Sequence, residues 1–131
     1  MPYQLIDHTG DIGIDVSAPT LEALFAEAGR ALFEILVEAS PGAGTPEEFP
    51  VLGADPPEEL REFLAELLYR FSAERKVYGE FAPAPGGIRA VAEPFDPARH
   101  AVRTELKAVT WHQLDARREK DGWIARVIFD V

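Results

Sequence analysis

Two aspartates at opposite ends of the chain are the residues best suited to chemistry. Asp11 lies near the start of the sequence, and Asp130 is followed only by Val131 with its terminal carboxylate. Residues 123–131 read as an apolar strand without a polar tail, so we expect this end to be ordered. Two side-chain carboxylates and one main-chain carboxylate could therefore share a corner. Clustered like charges need a cation between them, which predicts a hard divalent metal bound by oxygen ligands or a nearby lysine or arginine.

A lysine candidate lies in the segment 104–112, which reads Thr-Glu-Leu-Lys-Ala-Val-Thr-Trp-His. We predict a strand here, with Glu105 and Lys107 on one face and His112 further along. Lys107 could then face the carboxylates as a counter-ion, or it could contact a nucleotide phosphate. A solvated cross-strand ion pair, which contributes little energy, would explain the same residues without any function.

Two polar loops are weaker candidates. The segment His8–Asp11 enters a strand, and such turns let side chains and backbone amides converge on a ligand. A simple turn, in which Thr and Asp bond local amides, is the alternative. The segment Glu93–His100 follows a second predicted strand and is typical of an ordinary X-Pro turn.

Two amphipathic helices are predicted from capping residues and apolar spacing. The first begins after Thr20, ends before the Pro-Gly pair at 41–42, and carries a 3.6-residue apolar stripe typical of a half-buried helix. The second begins at 55–58, Asp-Pro-Pro-Glu, with a capping aspartate, proline at the first helical position and a carboxylate at N3. Its stripe consists of Leu60, Phe63, Leu64, Leu67, Leu68 and Phe71.

The remaining segments read as strands that form the surface these helices cover. Residues 11–17 alternate apolar and polar side chains, and 49–52 is a short strand. Residues 81–94 form a hairpin around Pro-Gly-Gly, and 110–118 pairs with 123–130 through an Asp-Gly turn that supplies positive φ angles. The pattern predicts an α+β two-layer sandwich, a mostly antiparallel sheet with two helices packed on one face.

Composition narrows the classes of protein that fit. The 131 residues are expected to form one domain, 1–131, with 13 Lys and Arg against 23 Asp and Glu, a net charge of −10. That charge has the wrong sign for direct binding to a phosphate backbone and favours a metal or a basic partner. The absence of cysteine excludes disulfides and thiolate catalysis. No basic-apolar leader or membrane-length apolar run occurs, so we expect a soluble cytoplasmic protein.

Standard enzyme motifs are missing from the sequence. The nearest glycine cluster, 83–87, lacks the Lys-Ser/Thr of a phosphate-binding loop, no serine sits in a nucleophile elbow, and no histidine pair has helical metal spacing. A hydrolase that uses Asp11 and Asp130 around a metal remains an alternative, since carboxylate-bound metals activate water.

At these residues the chain resembles the archease family, and the resemblance covers essentially its whole length. The opening His-Thr-Gly-Asp stands where the family more often has His-Thr-Ala-Asp. Departures at Gly10, Ala92, Phe95 and Trp111 remove no charged group. The matching segments, in order, are 8–11, 18–22, 31–33, 64–71, 93–100, 105–112 and 122–131.

The resemblance implies an accessory protein and not an enzyme. By this resemblance the chain would be a small accessory protein of the RtcB-type RNA ligase, which joins tRNA halves using GTP and a divalent metal. It would promote formation of the ligase–guanylate intermediate and so allow multiple turnover. The family's metal site matches Asp11, Asp130 and Val131, and its functional lysine matches Lys107. The metal would be Ca²⁺ or a similar ion, with Mg²⁺ or Mn²⁺ as options. The implied fold, a sheet with two helices on one side, agrees with the pattern above.

The expected partner is therefore the ligase, with tRNA met only through it, and no membrane or direct nucleic-acid binding is expected. His8, Glu93, His100, Glu105 and His112 either act at the site or brace it. Two alternatives belong to other classes: a metal-dependent phosphohydrolase acting on a small phosphorylated molecule, and a general acidic interaction module or chaperone-like modulator of nucleic-acid enzymes.

Overall fold

The computed structural model describes residues 3–8, 10–39 and 43–131. No helix in these ranges is both long and apolar enough to cross a membrane. The elements, in chain order, are β1 (Tyr3–His8), β2 (Asp11–Ala18), α1 (Leu21–Leu36), β3 (Val37–Ala39), β4 (Thr45–Pro50), α2 (Pro56–Glu74), β5 (Lys76–Ala84), β6 (Gly87–Pro94), β7 (His100–Val102), β8 (Ala108–Val109), β9 (Asp115–Glu119) and β10 (Gly122–Asp130).

A five-stranded antiparallel sheet carries both ends of the described chain. Its order is β1-β2-β10-β8, and β9 also pairs with β10. The strand β10 is therefore the central one, paired with β2 along its length and with β9 and β8 on its other side. Alternate residues of these strands, such as Ile14, Val127 and Phe129, enter the core that the helices cover.

Two smaller antiparallel sheets complete the architecture. One has the order β4-β6-β5, and the other pairs β3 with β7. The predicted α+β class with mostly antiparallel pairing and two helices is confirmed.

The helix α1 is more deeply buried than its apolar stripe predicts. Thr20 caps it as expected, its hydroxyl accepting the N–H of Ala23 at 3.1 Å. Buried residues cover more than half of the helix circumference and include Ala26, Gly29 and Phe33, which lie off the predicted stripe, whereas the side with Glu27, Arg30 and Glu34 is less buried. Burial therefore extends beyond the single face that the sequence predicted, because strands of two sheets, β2 and β10 of one and β5 and β6 of the other, pack against α1.

The helix α2 is half-buried, as predicted, and is fixed at both ends. The Asp55 carboxylate caps its start, and Arg75 ends it in a left-handed conformation, φ 59°. Near its last turns the guanidinium of Arg70 donates to Glu47 at 2.9 Å, tying the helix to β4. Burial acts to raise the pKa of Glu47, but hydrogen bonds from Tyr78 and Lys76 outweigh it and hold that pKa below its usual value.

Several strand boundaries differ from the sequence prediction. The segment 104–112 is not a continuous strand: only Ala108–Val109 pair, and Glu105 and Lys107 precede them in irregular backbone. The predicted strand 49–52 lies instead at 45–50, and in the last hairpin Gly122 alone of the Asp-Gly pair has positive φ, 150°.

Candidate functional site

The two aspartates singled out by the sequence lie directly opposite each other. In the ladder between β2 and β10, Asp130 pairs with Asp11, one step beyond the pair formed by Phe129 and Ile12. Directly opposed residues of an antiparallel pair point to the same face, with Cα atoms roughly 4.5–5.5 Å apart. Because Phe129 faces the core, Asp11 and Asp130 project from the opposite, outer face of the sheet. We call Asp11, Asp130 and the adjoining Val131 the acidic corner.

The position of the acidic corner depends on the apolar residues that precede it. Val127, Ile128 and Phe129 are fully buried, so β10 is held in place up to its last residue. Beneath the aspartates, Gly13 pairs with Ile128, and a Cβ on Gly13 would lie only 2.6 Å from Ile128 Cδ1. The glycine therefore lets this bulky side chain lie across the sheet, and the strand end is anchored on both of its faces.

Lys107 is joined to the same strand end through its backbone. Its N–H donates to the carbonyl oxygen of Asp130 at 2.8 Å, next to the pairing of Ala108 with Asp130. The Lys107 side chain is exposed, and within the described ranges it has no ion-pair partner. The fold thus brings Asp11, Asp130 and Lys107 to one corner, with two carboxylate side chains and one exposed ammonium group at the surface.

The donor set of the acidic corner suits a hard cation. Asp11 is partly exposed and Asp130 and Val131 are exposed, so water has access to all three. No group of three or more His, Cys, Asp or Glu side chains that could hold a metal occurs in the part of the chain that is described. A metal here would rest on two side-chain carboxylates and main-chain oxygen of Val131, with other oxygen ligands completing its shell. Oxygen donors of this kind fit Ca²⁺, Mg²⁺ and Mn²⁺.

Glu93 and His100, predicted to act or brace, form a separate buried cluster. His100 Nδ1 accepts the backbone N–H of Asp96 at 2.8 Å, so a neutral ring carries its proton on Nε2, which lies 2.9 Å from a Glu93 carboxylate oxygen. Arg99 pairs with the same carboxylate. Because the His100 side chain is wholly buried, the cluster stabilises the turn between β6 and β7. Its geometry fits the bracing role.

The other residues predicted from the sequence lie near the acidic corner or fall partly outside the described residues. Glu105 is exposed and precedes the buried Leu106. His112 donates its backbone N–H to Thr110 Oγ1 at 3.2 Å in the loop after β8. His8 pairs with Asp11 in the β1–β2 register. Its side chain, and all of Thr9 in the predicted His8–Asp11 motif, lie outside the described residues.

The sequence reasoning missed the contact between Arg61 and Trp111. The guanidinium carbon of Arg61, on α2, lies 4.3 Å from the centre of the Trp111 ring. The sequence indicated Trp111 only as a departure from the family pattern, and the relative position of two separate elements was needed to place an arginine against it. The one signal in the sequence was a tryptophan in an otherwise polar stretch.

The outer face of the sheet continues from the corner into a shallow concavity of about 620 Å³. Its charged groups are neutralised in pairs. Arg126 forms a two-pronged ion pair with Asp15, at 2.8 and 2.9 Å, and Arg117 pairs with Asp115 and Glu119. Among the described residues that line it, the concavity therefore has no uncompensated cation that would select a phosphate.

A model of the archease protein family matches residues 3–131 of the chain. The chain belongs to the archease family. Among its archease relatives, the protein archease of Methanopyrus kandleri is 34% identical over 142 residues, with 100% of both chains covered. The protein archease of Pyrococcus furiosus is 35% identical over 139 residues, with 98% of each covered.

Solved structures agree with this membership of the archease family. The solution structure of Methanobacterium thermoautotrophicum protein 1598 superimposes with a TM-score of 0.76 at 26% identity, covering 99% of each chain. The crystal structure of an archease from Thermotoga maritima, described as a possible chaperone, has a TM-score of 0.70 at 20% identity. It covers 98% of this chain and 96% of its own and supports the fold alone.

Proposed function

We propose that this protein is a cytoplasmic accessory activator of an RtcB-type RNA ligase in tRNA splicing. It promotes guanylylation of the ligase and multiple turnover, and it performs no covalent chemistry itself. The observation that carries the proposal is the register of β2 and β10, which sets Asp11 opposite Asp130 with Lys107 bonded to the same strand end. These are the residues that match the family's functional positions, and membership of the archease family supports the carry-over.

In this proposal the acidic corner docks beside the nucleotide site of the ligase. Asp11, Asp130 and Val131 would hold a divalent cation, which supplies positive charge next to nucleotide phosphates. Lys107 has an exposed ammonium with no ion-pair partner among the described residues, and it balances the carboxylates or contacts phosphate. The net charge of −10 steers the protein toward the basic surface of an RNA-handling partner and away from RNA itself.

The incomplete donor set favours a moderate affinity for the ion. Two side-chain carboxylates with one main-chain group provide fewer ligands than a closed calcium site of 6–8 oxygens, so water or the partner supplies the rest. A calorimetric titration with Ca²⁺ and Mn²⁺ should show binding by the wild type that Asp11→Asn and Asp130→Asn abolish. Asp121→Asn is the matched control, since Asp121 is an exposed aspartate in the turn of the last hairpin. Equal binding by all three variants would contradict the metal assignment.

The ligation of tRNA halves in large excess over a cognate ligase tests the function. Wild-type protein should convert a single round of ligation into many rounds. Asp11→Asn, Asp130→Asn and Lys107→Ala should each lose most of this stimulation while they keep the wild-type circular dichroism spectrum. Asp121→Asn should retain it.

Each alternative predicts a different result in the same series. If the wild type did not stimulate any cognate ligase, the proposed function would be wrong. An equal loss in Asp121→Asn and Asp130→Asn would show that acidic charge in general is sufficient, as for an unspecific interaction module. Release of phosphate from small phosphorylated substrates by the isolated protein, dependent on Asp11, would indicate a hydrolase.

A further inference from the structure

Trp111 is a large aromatic side chain held in an exposed position. Its side chain is among the large apolar ones that remain accessible, with 60% of its surface exposed. The surrounding loop is nevertheless fixed. Thr110 donates its N–H and its hydroxyl to the carbonyl of Ile128, and Gln113, in a left-handed conformation with φ 52°, accepts a hydrogen bond from Arg126 at 3.2 Å. An exposed tryptophan on a fixed loop loses little conformational freedom when it binds a partner.

Arg61 packs against the Trp111 ring. Its guanidinium carbon lies 4.3 Å from the ring centre, the geometry of a cation–π contact. Its Nε is buried and has no hydrogen-bond partner among the described residues, and no ion pair joins Arg61 to a carboxylate there. The planar face of the Arg61 guanidinium therefore packs against Trp111, and this contact orients the ring.

Two glutamates lie beside Arg61 on α2. Glu58 is three residues before Arg61 and four before Glu62, spacings that make Glu58 a neighbour of both on the helix surface. Both glutamates are exposed and, across the described ranges, neither has an ion-pair partner although an arginine stands between them. An apolar anchor with an acidic border is complementary to a partner that surrounds an apolar pocket with lysine or arginine.

The same surface adjoins the acidic corner. Trp111 lies four residues after Lys107, so the two Cα atoms are at most roughly 14 Å apart. Thr110 and Lys107 bond to Ile128 and Asp130, two residues apart on β10. A protein interface of ordinary size can therefore cover both Lys107 and the Trp111 ring.

We propose that Trp111, oriented by Arg61 and bordered by Glu58 and Glu62, is the docking anchor for the basic protein partner whose nucleotide site the acidic corner serves. This inference rests on the proposed function and adds to it that docking and stimulation depend on different residues. Trp111 sets how tightly the partner is held, and Asp11, Asp130 and Lys107 set what happens once it is held. Tryptophan and arginine are enriched among the residues that dominate binding energy at protein interfaces.

A protein occupant fits this surface better than RNA. An exposed aromatic ring can stack on a nucleobase, but the exposed Glu58 and Glu62 on α2, which have no ion-pair partner among the described residues, would repel the attached phosphates. A net charge of −10 adds to that repulsion. The same charges attract a basic protein surface.

Titration of the ligase with increasing amounts of the accessory protein separates the affinity of docking from the stimulation of the docked ligase. The concentration that gives half of the maximal stimulation reports docking, and the maximal rate reports the action of the corner. Trp111→Ala should raise the half-saturating concentration about 10-fold or more, with the maximal rate unchanged. Trp111→Phe, which keeps a ring over Arg61, should raise it less. Glu58→Gln/Glu62→Gln should raise it and weaken its dependence on salt.

Val102→Ala is the matched control, because Val102 is an apolar side chain on another sheet with a similar exposure, 58%. Val102→Ala should leave the half-saturating concentration and the maximal rate unchanged. Lys107→Ala should lower the maximal rate and leave the half-saturating concentration at its wild-type value. Thermal unfolding checks that every variant is folded.

Three results would overturn the inference. The first is a half-saturating concentration for Trp111→Ala within twofold of the wild type and Val102→Ala. The second is a loss of maximal rate without a change in half-saturation, which would place Trp111 in the action of the corner. The third is weaker binding of a labelled tRNA half to isolated Trp111→Ala than to the wild type, which would make the ring an RNA contact. A wild type that stimulates no ligase would refute the proposed function itself.

Discussion

Replacement of Gly29 by alanine tests how tightly α1 is enclosed between the sheets. A Cβ atom on Gly29 would lie 2.6 Å from Phe81 Cε2, 2.8 Å from Cδ2 and 3.1 Å from Cζ. The whole edge of the Phe81 ring is involved, so the ring would have to move as a unit. It is buried, 4% exposed, and stacks on Phe33 with the ring centres 6.1 Å apart. We therefore expect the substitution to overpack the core.

Two opposing effects determine the size of the change. Alanine stabilises a helix interior by roughly 0.5–1 kcal/mol relative to glycine, whereas overpacking a closed core costs about 1–3 kcal/mol. The net expectation for Gly29→Ala is a loss of about 0–2.5 kcal/mol. An unfolding entropy of about 2.1 cal/mol/K per residue, over 131 residues, gives about 0.28 kcal/mol/K. The melting temperature should then fall by up to about 9 °C.

Calorimetric or circular-dichroism melts of four variants measure this: Gly29→Ala, Gly79→Ala, Phe81→Leu and the double variant Phe81→Leu/Gly29→Ala. Gly79→Ala is the matched control, because no atom lies within 4 Å of a Cβ at that position, and it should be neutral or slightly stabilising. In the Phe81→Leu background, Gly29→Ala should cost less than in the wild type, since the smaller side chain leaves the contact. A rise of the melting temperature in Gly29→Ala itself would refute the reasoning and show that the ring of Phe81 has room to move.

Three further substitutions test other parts of the structure. The lowered pKa of Glu47 means that its carboxylate stabilises the fold above the unfolded-state pKa, an effect lost as pH falls through the folded-state pKa. The Glu47→Gln variant should therefore show a smaller loss of melting temperature between pH 7 and pH 3 than the wild type, while the exposed Glu48→Gln matches the wild type. Gly122→Ala should lower stability by about 2 kcal/mol or more in urea titrations, because its φ is 150° and a Cβ would lie 2.5 Å from the carbonyl oxygen of Ala18. Thr20→Ala removes the cap of α1 and should cost about 1 kcal/mol in the same titrations, with Thr20→Ser close to neutral.

Local signals made the helices and turns predictable from the sequence. Thr20 and Asp55 cap their helices through contacts with residues a few positions later, so the start of each helix can be read from the local sequence. The alternation in 11–17 placed β2 within one residue of its observed end, and the Pro-Gly turn joins β5 to β6 as predicted. The enclosure of α1 could not be predicted, because a stripe of apolar residues does not reveal a second sheet on the far side.

Strands that depend on distant partners were harder to find. The edge strand β1 and the pairing of β3 with β7 were missed, because each is stabilised by a neighbour remote in sequence and has little pattern of its own. The segment around Lys107 was assigned too much strand, since its alternation also fits an irregular stretch that anchors Leu106. The meeting of Asp11 and Asp130 was anticipated from charge and from the apolar end of the chain, and the register now shows it. Their role as metal ligands stays a prediction.

The acidic corner stands at the end of the strand with the most neighbours in the sheet. β10 is bonded to β2 on one side and to β9 and then β8 on the other, and its last apolar residues are fully buried. Amide hydrogens in such a strand exchange with solvent only when the whole molecule opens. Residues 125–129 should therefore be among the slowest to take up deuterium. The corner would then keep one backbone geometry for as long as the protein stays folded, and any adaptation to a partner would fall to side chains.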